Sequence, residues 1–192
     1  MRNIFIYKDF DEKKLLLGLI NVSKEECYSS IFTSNSNEKK QIFPKEYINY
    51  DIIAGIGSVS SMFSNKNSFN NLRKYTKSQS DWLFGYLSYD IKNELENLSS
   101  NNLDNFNSNN LQFFCPKYVL LLKNRHLEIH THETKEKCDN FLFNIQFKKL
   151  NLQHSSITIK SRDSKKSYID KINKIMQHIK PVSYTHLTLP TT

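Results

Sequence analysis

The sequence predicts an α+β fold in which helices pack on an antiparallel sheet. Short runs rich in β-branched and aromatic residues alternate with helical segments, and some strands follow one another at hairpin spacing. Hydrophobic residues make up 38% and aromatic residues 12% of the 192 residues, which is enough for a packed core. Strands and helices interspersed in this way, with hairpin-type strand pairs, are typical of the α+β class.

The first part of the chain predicts three strands and two helices. An aspartate, Asp9 or Asp11, can cap a first helix that runs to about Ile20. Ser68 can cap a second helix that runs to about Lys77. The predicted strands are short apolar runs between polar segments: Ile4–Tyr7, Tyr28–Phe32 and Tyr50–Gly57.

The second part of the chain predicts the rest of the sheet and three more helices. Asp90 can cap the first of these helices, and Lys123-Asn-Arg125 is predicted as a hairpin turn. The predicted helices are amphipathic: Asp90–Leu98, Thr134–Lys148 and Asp163–Lys180. The predicted strands are apolar or aromatic: Asp81–Tyr89, Leu111–Phe114, Tyr118–Lys123, Leu127–Thr131 and Ser156–Lys160.

Composition and charge argue against several classes of protein. The formal net charge is +8, but the lysines are scattered singly and in pairs, which does not favour a nucleic-acid-binding surface. No stretch approaches the roughly 20 apolar residues of a membrane span, and the N-terminus does not resemble a secretory signal. We therefore expect a cytoplasmic protein without a nucleic-acid or membrane partner.

Neither the cysteines nor the paired glycines form a recognised motif. Cys27, Cys115 and Cys138 follow no disulfide or zinc-ribbon spacing, so they are predicted to be reduced, half-buried thiols. Gly55 and Gly57 lack the third glycine of a dinucleotide-binding fingerprint. They predict a turn at the end of a strand rather than a phosphate-binding loop.

Three histidines form the one cluster of metal-ligating residue types in the sequence. His126, His130 and His132 are predicted to project from one face of a strand, with Cys138 nearby. Two histidines at this spacing can bind zinc, but the sequence indicates neither partner carboxylates nor a fourth ligand. A solvated strand face is therefore expected. The sequence contains no nucleophile elbow and no cysteine in a recognisable catalytic motif. We therefore assign no catalytic or metal-ligating residue.

Four segments resemble one enzyme family. Trp82-Leu-Phe-Gly-Tyr-Leu-Ser-Tyr-Asp-Ile-Lys-Asn-Glu-Leu-Glu96 is similar to the W-x-F-G-x-L-S-Y-D-L-K-N-E-[IL]-E segment of the large component of aminodeoxychorismate synthase. Of the four segments, this block gives the specific match to the family. Three further segments resemble the family in the same order: Tyr50–Gly57, Leu111–Val119 and Ser161–Lys180.

The resemblance implies a function for the intact enzyme. It implies amination of chorismate to 4-amino-4-deoxychorismate for para-aminobenzoate and folate synthesis, with Mg²⁺ as cofactor and ammonia from a glutamine amidotransferase partner. Residues 1–160 would be the N-terminal domain of the anthranilate synthase component I type, and residues 161–180 the start of the chorismate-binding catalytic domain. The family's catalytic groups lie further on, so this chain itself is expected to be inactive and to bind no metal.

Three alternatives remain open. Anthranilate synthase component I, the sister branch, carries an L-L-E-S element that helps to bind feedback tryptophan. Phe32-Thr-Ser-Asn35 corresponds to it, so Ser34 matches the serine while Thr33 replaces the glutamate, which favours the aminobenzoate branch. Ser34 is thus either a tryptophan-site-like residue or an ordinary residue at a strand end. The other two alternatives are a stand-alone, non-catalytic regulatory or interaction module and a basic nucleic-acid-binding domain, which a steep salt dependence of affinity for DNA or RNA would favour.

The C-terminal segment differs from the rest of the chain. Residues 182–192 contain four threonines and no Lys, Asn, Asp or Glu, and they match the translation of a transposase-type sequencing adapter. We therefore expect residues 181–192 to be a sequencing artefact rather than part of the natural protein. We expect the natural reading frame to continue beyond Lys180.

Overall fold

The computed structural model describes residues 1–34, 50–96, 98, 106–147 and 158–182, with side chains up to residue 177. The chain divides into two compact units, Met1–Asn151 and Leu152–Thr192. The predicted domain boundary at 160/161 stays a prediction.

The first unit contains six strands, four α-helices and a short 3₁₀ helix among the described residues. The strands are β1 (Asn3–Tyr7), β2 (Ser29–Thr33), β3 (Ile52–Ser64), β4 (Phe84–Leu87), β5 (Leu111–Lys123) and β6 (His126–Thr131). The helices are α1 (Glu12–Ser23), α2 (Ser68–Gln79), the 3₁₀ helix (Tyr89–Lys92), α3 (Asn93–Glu96) and α4 (Lys135–Phe147).

The six strands form one sheet in which every pairing is antiparallel. The order is β1-β6-β5-β3-β2, and β4 pairs with β5 outside this path. The predicted α+β class with an antiparallel sheet and packed helices is therefore confirmed.

Strand β5 is the central element of the sheet. One edge of it pairs with β3 from Leu111 to Leu122, so the prediction of two separate strands in this region is wrong. Its other edge pairs with β4 at 111–114 and with β6 at 118–123, which leaves 115–117 without a strand partner on that edge. Pro116 lies in this interval, where a residue without an N–H group does least damage to the sheet.

One face of the sheet carries the main core, because α1 and α4 pack against it. The two helices approach closely at Gly18, where a Cβ atom would overlap the backbone carbonyl of Ile145. The side chains of this core are almost entirely aliphatic or aromatic: Leu15, Leu19, Val22, Ile52, Ala54, Ile56, Tyr118, Leu120, Leu122, Leu127, Ile129, Cys138, Phe141, Leu142 and Ile145.

The opposite face carries a smaller, aromatic cluster. The Phe84 ring packs against Phe114, with ring centroids 6.1 Å apart, and against Phe32 at 6.2 Å. A Cβ atom on Gly55 would meet the Phe84 ring at 2.9 Å, so glycine gives this ring its place on the sheet. The turn predicted at Gly55 and Gly57 is wrong, because β3 continues to Ser64.

Gly57 nevertheless has a backbone role. Its φ of +67° lies in the left-handed region, which L side chains rarely adopt. The register between β3 and β5 shifts directly afterwards, between Ser58 and Ser60. Bulges of this kind bend a strand and let it continue, which explains why the strand does not stop at the glycine.

The segment that carries the family resemblance is divided into more and shorter elements than predicted. Instead of one strand to Tyr89 and a helix capped by Asp90, a four-residue strand leads into the 3₁₀ helix, which Ser88 precedes, and then into α3. The Glu94 carboxylate accepts hydrogen bonds from the backbone N–H and the hydroxyl of Ser68, at 2.7 and 2.5 Å. Glu94, not Ser68, therefore caps the start of α2.

Several local predictions are confirmed. Asp11 caps α1, since its carboxylate accepts the N–H of Lys14 at 2.9 Å. The hairpin between β5 and β6 turns at Asn124 and Arg125, whose φ angles of 47° and 64° fit the type I′ turn of tight hairpins. Residues 158–160 are not in a strand, so that part of the predicted strand Ser156–Lys160 is wrong; its first two residues lie outside the described residues.

The described part of the second unit consists mainly of helix α5, Lys165–Val182. The Ser164 hydroxyl accepts the N–H of Ser167 at 3.2 Å, which caps the helix start close to the predicted Asp163. Apolar side chains at helical spacing are about half exposed. Within the part of the chain that the structure describes, no helix combines the length and apolar character of a membrane span.

Candidate binding pocket

The Arg2 side chain fills the gap along β5 between β4 and β6. Its Nη1 donates to the carbonyls of Lys117 and His130 at 3.3 and 3.1 Å, and its Nη2 donates to the carbonyl of Pro116 at 2.5 Å. Pro116 and Lys117 lie where the strand pairing on this edge of β5 is interrupted. The guanidinium thus replaces the missing backbone partners with charge-assisted hydrogen bonds.

Asp81 neutralises this buried guanidinium. Arg2 Nε donates to both carboxylate oxygens of Asp81, at 2.8 and 3.0 Å, and the two side chains are only 6% and 16% exposed. Asp81 also accepts the backbone N–H of Trp82 at 2.7 Å and lies 3.0 Å from Nε2 of His132. Burial opposes ionisation of Asp81, but these partners outweigh it and lower its pKa to about 2.

Trp82 follows Asp81 and covers a histidine on the aromatic face of the sheet. Its indole lies edge-on to the His130 ring, with centroids 6.4 Å apart, and it stacks toward Phe84 at 6.2 Å. His130 Nε2 lies 3.1 Å from the Glu128 carboxylate, and the imidazole is only 15% exposed. The prediction of a solvated strand face is therefore wrong for His130, because the arm that precedes β4 folds over it.

These side chains surround an open pocket of about 790 Å³. Small-molecule sites in proteins commonly have about 300–1,000 Å³ and combine apolar walls with a few polar groups. The lining consists of Met1, Arg2, Ile4, Val59, Gln79, Ser80, Asp81, Trp82, Cys115, His130 and His132.

The histidines and cysteines do not form one cluster. His126 lies at the other end of β6, where its Nδ1 is 3.0 Å from the carbonyl of Asn124. Cys138 belongs to the helix-side core, so its predicted position near the histidines is wrong. The partner carboxylates that the sequence does not indicate are present, as Glu128 for His130 and Asp81 for His132.

The thiols are free, but their burial differs from the prediction. Cys27 is exposed, whereas Cys115 and Cys138 are buried rather than half-buried. Burial, followed by the negative charge of Asp81, raises the pKa of the Cys115 thiol. A thiol held in its protonated form is a poor nucleophile, so Cys115 contributes shape to the pocket rather than covalent chemistry.

Ser34, the predicted tryptophan-site-like residue, is not among the residues that line this pocket. It directly follows β2, the edge strand at the opposite end of the strand order from β1. Its backbone N–H donates to the carbonyl of Asp51 at 3.0 Å, and its hydroxyl donates to the same carbonyl at 3.5 Å. Its role in binding tryptophan stays a prediction.

Comparison with protein families adds evidence independent of the geometry. Residues 29–189 match the family described as chorismate binding enzyme, which is most of the chain. The chain belongs to this family. The family is one of chorismate-utilising enzymes of the anthranilate synthase and aminodeoxychorismate synthase component I type. No curated protein matches the chain.

The family match extends to residue 189 and so overlaps the segment predicted to be an artefact. Residues 183–192 lie outside the described residues, and the adapter interpretation stays a prediction. No local sequence pattern marks Arg2 or Asp81 as partners. The local signals for the pocket are Trp82, which opens the block resembling aminodeoxychorismate synthase, and His130 and His132 of the histidine cluster.

Proposed function

We propose that this chorismate-binding family member is the N-terminal part of aminodeoxychorismate synthase component I. The intact enzyme would aminate chorismate to 4-amino-4-deoxychorismate, using ammonia from a glutamine amidotransferase. The observation that carries this proposal is the Trp82–Glu96 block within the family match. Thr33, which stands where the anthranilate branch has glutamate, supports the aminobenzoate branch.

The fold gives several residues of that block a structural reason. Gly85 lies so close to the backbone carbonyl of Gln112 that a Cβ atom would overlap it. Glu94 caps α2, and Ile91 is buried. These residues of the block therefore specify how the β4 arm attaches to the sheet.

The Mg²⁺ of the proposed reaction has no ligand set in the described part of the chain. Within residues 1–34, 50–96, 98, 106–147 and 158–182, no group of three or more His, Cys, Asp or Glu side chains could hold a metal ion. The proposed enzyme would carry its metal ligands and its chorismate-contacting groups beyond residue 180.

The experiment begins with the gene. Sequencing across codon 180 of the source DNA should give an uninterrupted reading frame into a full chorismate-binding domain. The protein from that frame, with chorismate, Mg²⁺ and ammonia, should form an amino product that keeps the enolpyruvyl group. The 192-residue chain alone should leave chorismate absorbance unchanged. Steady consumption of chorismate by this chain would contradict the proposal that the catalytic groups lie beyond residue 180.

The product distinguishes the two branches of the family. Anthranilate formation releases pyruvate and gives a strongly fluorescent acid. In contrast, 4-amino-4-deoxychorismate needs a separate lyase before pyruvate appears. If the single enzyme gives a fluorescent product and pyruvate, and tryptophan inhibits it, then the protein belongs to the anthranilate synthase branch. A natural stop codon at the junction would instead favour a stand-alone regulatory or interaction module.

A further inference from the structure

The pocket beside Trp82 has one aromatic and one polar side. The indole of Trp82 is 39% exposed, and Ile4 and Val59 also line the pocket as exposed apolar side chains. Together they give the pocket an apolar lining. Because aromatic rings bury large areas and stack in preferred geometries, an exposed indole in a concave site favours a planar ligand.

The polar side is formed by two imidazoles with a fixed orientation. Nε2 of His130 and Nε2 of His132 each lie within hydrogen-bond distance of a carboxylate, at 3.1 Å from Glu128 and 3.0 Å from Asp81. A carboxylate only accepts hydrogen bonds, so each Nε2 carries the proton. In a neutral imidazole, Nδ1 then presents a lone pair. None of the described residues donates a hydrogen bond to either Nδ1.

The charged groups of the wall are already engaged. The Arg2 guanidinium donates hydrogen bonds to Asp81 and to three backbone carbonyls. Asp81 accepts from Arg2, His132 and the Trp82 N–H. The Arg2–Asp81 pair therefore leaves no free guanidinium for an anionic ligand. An acceptor nitrogen beside an exposed indole selects a ligand that donates.

We propose that the pocket binds a small, uncharged aromatic molecule that carries an N–H or O–H donor. The ring lies against Trp82, and the donor bonds to Nδ1 of His132, which is the more open imidazole at 47% exposure against 15% for His130. This site is separate from chorismate conversion and does not depend on the proposed function.

The test uses the complete 192-residue chain and a matched pair of probes. Benzimidazole has an N–H donor, and 1-methylbenzimidazole has the same ring system without it. The chain has a single tryptophan, so its one indole N–H resonance in a ¹H–¹⁵N spectrum reports the pocket directly. We expect benzimidazole to shift this resonance with a saturating curve. It should bind about three- to tenfold more tightly than its methylated analogue, as one hydrogen bond provides.

Two variants locate the acceptor. His132→Phe keeps a ring but removes the nitrogen, and it should reduce benzimidazole affinity to that of the methylated probe. His126→Phe is the matched control, since His126 begins strand β6, which His132 directly follows, but lies outside the pocket. It should leave affinity unchanged. Spectral dispersion checks that both variants fold. No indole shift at millimolar benzimidazole, equal affinities for the two probes, or unchanged affinity in His132→Phe would each overturn the proposal.

Discussion

Arg2 and Asp81 are 79 positions apart in sequence, yet Arg2 Nε contacts both carboxylate oxygens of Asp81 at 2.8 and 3.0 Å. Because the pair is largely buried, removing one partner leaves an uncompensated charge. We expect Asp81→Ala to lower the free energy of unfolding by about 3 kcal/mol, the usual scale for a broken buried pair. Urea unfolding followed by circular dichroism measures this change.

An exposed pair provides the control for that variant. Asp90 lies 3.3 Å from Lys92, but its side chain is 57% exposed, so solvent screens the interaction. Asp90→Ala should change the free energy of unfolding by less than about 1 kcal/mol. Similar losses in the two variants would show that burial of the Arg2–Asp81 pair does not matter to stability.

The same pair predicts how stability depends on pH. The pKa of Asp81 is lowered from 3.8 to about 2 in the folded chain, so the unfolded state binds the proton more tightly. The stabilisation from Asp81 is therefore fully present above about pH 4 and is lost as the pH falls toward 2. The loss should be on the order of 2 kcal/mol.

Comparison with a variant that lacks the Asp81 carboxylate separates its contribution to the pH dependence of stability from that of other acidic residues. Bonds from Lys137 and Lys117 lower the pKa of Glu133, and those from Lys135 and Tyr7 lower that of Asp139, so both carboxylates titrate at low pH as well. Asp81→Asn keeps these groups and removes only the titration at position 81. Unfolding curves from pH 5 to pH 2 should therefore fall less steeply for the variant, and parallel curves would contradict the assignment.

Gly55 should be intolerant of even one added methyl group. A Cβ atom there meets the Phe84 ring at 2.9 Å, and this ring is held between Phe32 and Phe114. We expect Gly55→Ala to destabilise the fold by about 1–3 kcal/mol, as overpacking does. Thermal or urea unfolding gives the value.

A compensating variant tests the cause of that effect. In a Phe84→Leu background the smaller, more flexible side chain can yield to the new methyl group. The further cost of Gly55→Ala should then shrink to well below its cost in the natural sequence. Equal costs in both backgrounds would mean that backbone conformation, and not the Phe84 contact, requires glycine at this position.

Local signals predicted the elements whose cause is local. The cap at Asp11 and the hairpin at Asn124 and Arg125 follow from neighbouring residues, and the structure has both. Gly55 appears as a turn signal because its reason, the Phe84 ring, lies 29 residues away in sequence. The pocket depends on contacts between residues still further apart in sequence, such as Arg2 and Asp81. Hydrophobic periodicity does not indicate contacts of this kind.

The last prediction concerns helix α5. Its apolar stripe is about half exposed, at Tyr168, Ile169, Ile172, Ile175 and Met176. Contiguous apolar surface of this kind promotes association, so we expect the 192-residue chain to self-associate in a concentration-dependent way. Sedimentation equilibrium measures the average mass. The double variant Ile172→Gln and Ile175→Gln should shift the chain toward monomer without altering its charge.

A change on the polar side of the same helix is the control. Lys166→Gln and Lys174→Gln alter exposed positions outside the stripe and remove two positive charges, which reduces repulsion between chains. Association should therefore persist or strengthen in this variant. If the natural chain is monomeric at all concentrations, or if both double variants weaken association equally, then the apolar stripe of α5 does not drive self-association.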